Sequence, residues 1–226
     1  MDIPLNLVYL VSLIPVCLIW VVLFIAGKYT RREMLIMSVI IGLISLVSSY
    51  YWWTIDWWQP QTITNTKIGI EYFILGFTAG GIMTSIYEII FFKKYIKVKR
   101  KIKMPNFLTI LLVLASITAW LILEKVTSFY ASTISMILVS VIIFYFRKDL
   151  LINGLWSGLL MLIISLFFYY TIIFLSPEWI NQTYLFKTLS GVKITGIPIE
   201  ELIFWFLAGL VWGPLYEYWH SEQIKN

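Results

Sequence analysis

The 226-residue chain is 60% hydrophobic and 13% charged, with a mean hydropathy of +0.86, far more apolar than a soluble domain of that length. One Cys and one His exclude a disulfide framework and a His/Cys metal cluster, so no metal is expected. The net charge of +5 is no nucleic-acid signature, because the basic residues lie between apolar runs, where they orient membrane helices. No Gly-x-Gly-x-x-Gly follows a strand, so no nicotinamide or flavin cofactor is expected.

The first apolar run, residues 5–26, follows an acidic start and precedes Lys28, Arg31 and Arg32. That charge order is the reverse of a cleaved signal peptide. It predicts a retained helix with its N-terminus outside, bent at Pro15. The second run, 33–53, ends among Tyr50, Tyr51, Trp52, Trp53, Trp57 and Trp58, aromatic residues suited to a membrane–water boundary. The third, 68–92, precedes the most basic stretch of the chain, from Lys93 to Lys103. A fourth covers 107–123, a fifth 131–146 and a sixth 151–175. The loop after it carries Pro177, Glu178 and Trp179, and a seventh run spans 197–219.

With the N-terminus outside, thirteen of the 17 Lys and Arg fall in cytoplasmic segments, the C-terminus included. The outer loops hold the other four, Lys67, Lys125, Lys187 and Lys193. That asymmetry obeys the positive-inside rule at every loop.

The third and seventh runs are copies. At an offset of 129 residues, Ile68, Ile70, Glu71, Ile74, Phe77, Ala79, Gly80, Tyr87 and Glu88 recur as Ile197, Ile199, Glu200, Ile203, Phe206, Ala208, Gly209, Tyr216 and Glu217. Three helices reverse the direction of the chain, so a further helix is needed for the second copy to keep the orientation of the first. The predicted fold is therefore an all-α membrane protein of seven transmembrane helices. It comprises two parallel three-helix repeats, 1–104 and 131–226, joined by a linker helix within 105–130.

A helical turn of about 100° per residue puts Glu201, Trp205, Ala208, Gly209, Trp212, Gly213 and Tyr216 on one face of the seventh run. The matching face of the third carries Tyr72, Gly76, Ala79, Gly80, Met83, Thr84 and Tyr87. Gly76/Gly80 and Gly209/Gly213 form Gly-x-x-x-Gly pairs, which let membrane helices approach closely. This shared face predicts that Gly80 and Gly209 lie near the opposite repeat. Gly213-Pro214 should kink the seventh helix.

Ionisable groups at membrane depth are functional candidates by default. For Glu200, Glu201 and Glu71 two readings stay open. After Pro198 as first helical residue, the carboxylates complement the positive end of the helix. Facing the bundle instead, one keeps its proton and serves as a general acid. The repetition of Glu200 as Glu71 favours the second for Glu200. Glu88 and Glu217 lie about 25 Å further along the helix, where an anchoring role suits them. Trp205 and Trp212 offer ring faces to a cation or pack as core.

Pro198-Ile199-Glu200-Glu201, followed by Leu202, Ile203 and Phe204, resembles the signature of the membrane-integral lycopene cyclases, carotenoid cyclases built from two similar three-helix halves. The first copy departs from it, reading Gly69-Ile70-Glu71-Tyr72 without the proline and the second carboxylate. The resemblance implies acid-initiated ring closure of a linear polyene without redox change or cofactor. Glu200, Glu201 and Glu71 would be catalytic, and Trp205, Trp212, Tyr72 and Phe204 would line the substrate. Pro198, Gly76, Gly80, Gly209, Gly213, Glu88 and Glu217 would be structural. The implied partners are an apolar polyene, lipid and, for an oligomer, other copies of the chain. Two other classes compete: a non-catalytic carotenoid- or lipid-binding protein, and a small transporter. A retinal protein is excluded by the absence of lysine from 197–219.

The charge distribution makes a direct prediction. A reporter fused after Asn226 should be cytoplasmic and one inserted near Gln61 external; both on one side would remove the seven-helix topology.

Overall fold

Apolar runs in a bilayer must satisfy their backbone groups internally, and these runs do so as helices. The computed structural model describes residues 3–97, 105–220 and 222–224; Lys99, Arg100, Lys101 and Lys103 of the basic stretch lie outside the described residues. The first run forms α1 (Leu5–Ser12) and α2 (Ile14–Ala26), interrupted at Leu13, with Pro15 in the first turn of α2. The second is α3 (Arg31–Ser48), extended by a π-helical turn at Ser49–Trp53 and the short α4 (Thr54–Asp56). The third is α5 (Ile70–Ile90). Then come α6 (Phe107–Leu123), α7 (Ser128–Phe146) and α8 (Leu151–Leu175). The seventh run forms α10 (Ile199–Trp212) and α11 (Leu215–His220), divided at Gly213-Pro214 as the sequence leads one to expect.

Among the described residues, six stretches are long and apolar enough to cross a membrane: Leu5–Ala26, Arg31–Asp56, Ile70–Ile90, Ser128–Phe146, Lys148–Leu175 and Ile199–His220. Helix α6 has 17 residues, at the short end of what spans a hydrocarbon core.

The loops contain elements that periodicity did not reveal. Residues 176–198 include α9 (Trp179–Thr183) and a two-stranded ribbon of β2 (Lys193–Ile194) and β3 (Ile197–Pro198). After α5, β1 (Tyr95–Lys97) pairs antiparallel with β4 (Glu222–Ile224). Loop 176–198 is also longer than its counterpart 57–69, so the 129-residue offset holds for α5 and α10 but drifts for the helices before them.

The glycines pack helices at close range, but within each half of the chain. A Cβ at Gly76 would lie 2.8 Å from the Ile41 carbonyl oxygen and 3.0 Å from the Gly42 Cα, both on α3. One at Gly80 would lie 2.8 Å from the Met37 carbonyl oxygen. On α10, a Cβ at Gly209 would meet the Ser157 carbonyl oxygen at 2.5 Å and the Gly158 Cα at 2.7 Å, on α8. The expectation that Gly80 and Gly209 abut the opposite repeat is therefore corrected. Their small faces bring α5 onto α3 and α10 onto α8, because removing side chains is what lets two backbones touch.

Because Gly209 meets backbone rather than a movable side chain, Gly209→Ala should cost about 1–3 kcal/mol by overpacking. Thermal unfolding of the detergent-solubilised protein checks this; an unchanged midpoint would mean that α8 and α10 are not held at this distance.

Candidate functional site

At the end of the bundle where α5 and α10 begin, the two flanking loops are stitched together. Trp58 and Tyr184 form an isolated antiparallel bridge. The Gln59 amide donates to the Thr183 carbonyl at 2.8 Å and the Leu185 amide to the Trp57 carbonyl at 2.9 Å. Asp56 accepts from the Ser128 amide at 2.9 Å and from its hydroxyl, tying α4 to the start of α7. Thr188 donates its hydroxyl to the Asp56 carbonyl. These bonds draw Trp57, Trp58, Trp179 and Tyr184 into a buried aromatic cap over both helix ends.

Three carboxylates are buried beneath it. Glu71 and Glu200 make the same contact at their two helix starts. Glu71 Oε1 accepts the Ile63 amide and Glu200 Oε1 the Ser190 amide, each at 2.6 Å. In each, Oε2 is buried and finds no hydrogen-bond partner among the described residues. Gly69 belongs to this arrangement, because a Cβ there would collide with Glu71 Oε2 and with Thr62. The first copy's departure at Gly69 thus has a local steric reason.

Glu201 has a different environment. It is 4% exposed and its Oε2 accepts the Tyr169 phenol of α8. Tyr169 Oη in turn accepts the Trp205 indole N–H at 3.2 Å and lies 3.3 Å from Tyr184 Oη. Burial, reinforced by the Glu201 charge and by Tyr169, pushes the Tyr184 phenol well above its usual range, so it remains a hydrogen-bond donor.

Tyr72, the residue matching Glu201 in the first copy, is fully buried with its hydroxyl unpartnered among the described residues. Its ring meets Tyr9 of α1 edge-on, with centroids 5.5 Å apart. Tyr9 is itself fully buried, and also packs edge-on against Trp58 at 5.3 Å and Phe168 at 6.2 Å. Residues from both halves thus share one aromatic chamber. Phe204 closes its flank against Trp57 at 4.9 Å and Trp53 at 5.6 Å. Trp212 is buried about two turns below Trp205. Pro198 enters α10 from β3.

Glu88 and Glu217 stand at the opposite end, away from these groups. With Glu33 of α3 they form a buried trio whose carboxylate oxygens lie within 4.8 Å of one another, close enough to share a cation. Glu217 Oε1 accepts from Asn153 at 3.3 Å, and Asn153 also donates to Tyr95 Oη at 3.1 Å. Fully buried Arg147 donates to the Glu217 carbonyl at 3.0 Å and pairs with Asp149 at 2.9 Å. Burial and the carboxylates of Glu217 and Glu88 push the Tyr95 phenol up.

Tyr169, Tyr184 and Tyr9 escaped sequence reasoning. Each is an aromatic residue in an apolar run or loop, and no spacing distinguishes it from lipid-facing neighbours such as Tyr170, which is 45% exposed.

The paired loop bonds predict separable effects. Glu200→Ala should speed hydrogen exchange of the Ser190 amide by about tenfold, the worth of a hydrogen bond. Glu71→Ala should do the same at Ile63. Unchanged protection at both amides would show that the loops are held by other means.

Residues 127–219, from the cap of α7 into α11, match the family model described as lycopene cyclase. No curated protein and no solved structure matches the chain. The matched segment contains Glu200, Glu201, Tyr169 and Trp205, so over these residues the chain is similar to the lycopene cyclases.

Proposed function

We propose that this is an integral membrane carotenoid cyclase of seven transmembrane helices. It would be arranged as two parallel three-helix repeats around α6, with the N-terminus outside and the C-terminus in the cytoplasm. The observation that carries the activity is Glu201: a buried carboxyl group in a chamber of tyrosine, tryptophan and phenylalanine, within the segment that matches the cyclase family.

The chemistry follows from that environment. A carboxylic acid at Glu201 transfers its proton to the terminal double bond of a linear polyene, and the carbocation so formed is attacked by an inner double bond, closing the ring. A neighbouring C–H proton then passes to a carboxylate and leaves a ring double bond. Atoms and electrons balance without a redox partner, so the reaction is an isomerisation. Glu71 and Glu200, each with one oxygen unclaimed, are the groups available as base. The aromatic faces stabilise the cation, and the cap excludes water that would trap it.

Glu201 is preferred over Glu200 as the acid because Glu200 already serves its loop, whereas Glu201 faces the rings. An apolar groove of about 420 Å³, lined by Leu10, Leu13, Ile14, Cys17, Val21 and Ile74, supports lateral arrival of the polyene from the bilayer. Leu13 lies one helical turn from Tyr9.

Expression in cells that accumulate lycopene, with chromatography of the extracted pigments, tests the proposal. The unmodified chain should yield cyclised product, and Glu201→Gln should lower its formation on the order of a hundredfold or more, the scale of a general acid. Glu71→Gln should also lower product if the two halves serve a single chamber. Absence of cyclised pigment from membranes containing both protein and lycopene would favour the binding-protein reading.

A further inference from the structure

We infer that Tyr169 is a positioning residue that fixes the acid proton of Glu201 on Oε1 and turns it toward the chamber. The inference rests on the proposed role of Glu201 and deepens it.

It follows from counting donors and acceptors around one oxygen. A phenol has one proton to give and two lone pairs to fill. The Trp205 indole can only donate, so at 3.2 Å it occupies one lone pair of Tyr169 Oη. Glu201 Oε2 receives the Tyr169 proton. Tyr184, 3.3 Å away and also within hydrogen-bonding range of Glu201, is the donor placed at the second lone pair. Tyr169 is then fully satisfied: two bonds accepted and one donated.

The consequence falls on Glu201. Oε2 accepts from Tyr169 and is therefore the carbonyl oxygen of the protonated acid. Its proton is then carried by Oε1. With its other oxygen held, the carboxyl group cannot rotate to bury the reactive proton in the tyrosine network. Trp205 lies one turn beyond Glu201 on α10 and Tyr184 is held by the cap, so three elements converge on the phenol. The arrangement belongs to the second half, because the first has Tyr72 in place of the carboxyl group.

The test is Tyr169→Phe, which keeps the ring and removes the hydroxyl, compared with Glu201→Gln. In lycopene-containing membranes, Tyr169→Phe should lower kcat about tenfold to a hundredfold with KM little changed, since the polyene makes no polar contact for the hydroxyl to supply. Infrared difference spectra give a readout independent of turnover. The carboxylic acid C=O band that disappears in Glu201→Gln should move to higher frequency in Tyr169→Phe, because its carbonyl oxygen has lost a donor. Unchanged or faster turnover together with an unmoved band would overturn the inference. Failure of the cyclase reading would look different: no product from any variant, with the band shift still present.

Discussion

A carboxyl group removed from water must be given hydrogen-bond partners, and this chain buries three such groups at one end of a helical bundle. Each draws its donor from another segment: Glu71 and Glu200 from the loops that precede their helices, Glu201 from α8. The same bonds that make the buried groups tolerable also hold the loops down. With the loops held, Trp57, Trp58, Trp179 and Tyr184 become a lid rather than a fringe at the membrane surface. Solvation of the carboxyl groups and closure of the chamber are thus a single structural problem.

The division of labour among the carboxylates follows from position along the helix. Glu71 and Glu200 lie on the side of the first turn that faces the incoming loop, where an amide nitrogen is within reach. One residue further is a rotation of about 100°, which carries Glu201 and Tyr72 to the interior. There the backbone amides of α8 are spent on its own helix. Only side-chain donors remain, and α8 supplies a phenol braced by an indole. In the first half the interior position is itself a phenol, packed on the ring of Tyr9. The chamber is accordingly asymmetric, with the Glu201 carboxyl group on one side and aromatic surface from both.

Close approach of helix backbones makes this geometry rigid. Gly209 brings α10 against α8, so Tyr169 and Trp205 are positioned by backbone contact rather than by long side chains. The division between α10 and α11 borders that contact, since a Cβ at Gly213 would lie 2.5 Å from the Cβ of Ser157, the same α8 residue that Gly209 meets. At the far end, buried Arg147 and Asn153 and half-buried Tyr95 surround the Glu217 region. That end uses direct polar contacts between helices, whereas the chamber end relies mainly on rings.

Membrane residence, the helical runs and the importance of 197–219 were legible in the sequence because each depends on local quantities: the length of an apolar run, the spacing of charges, the recurrence of a motif. The break at Gly213-Pro214 was legible for the same reason. The direction of the glycine faces was not. Helical periodicity says which residues share a face, but not which of several apolar neighbours that face will meet, and here it was the helix of the same half. Periodicity also separated Glu201 from Glu200 by angle without showing what stood opposite either. That was decided by tertiary structure alone, because Ser190, Tyr169 and Tyr9 reach the carboxylate end from distant points in the chain. A hydrogen bond depends on distance in space, and sequence spacing specifies that distance only within a turn or two of helix.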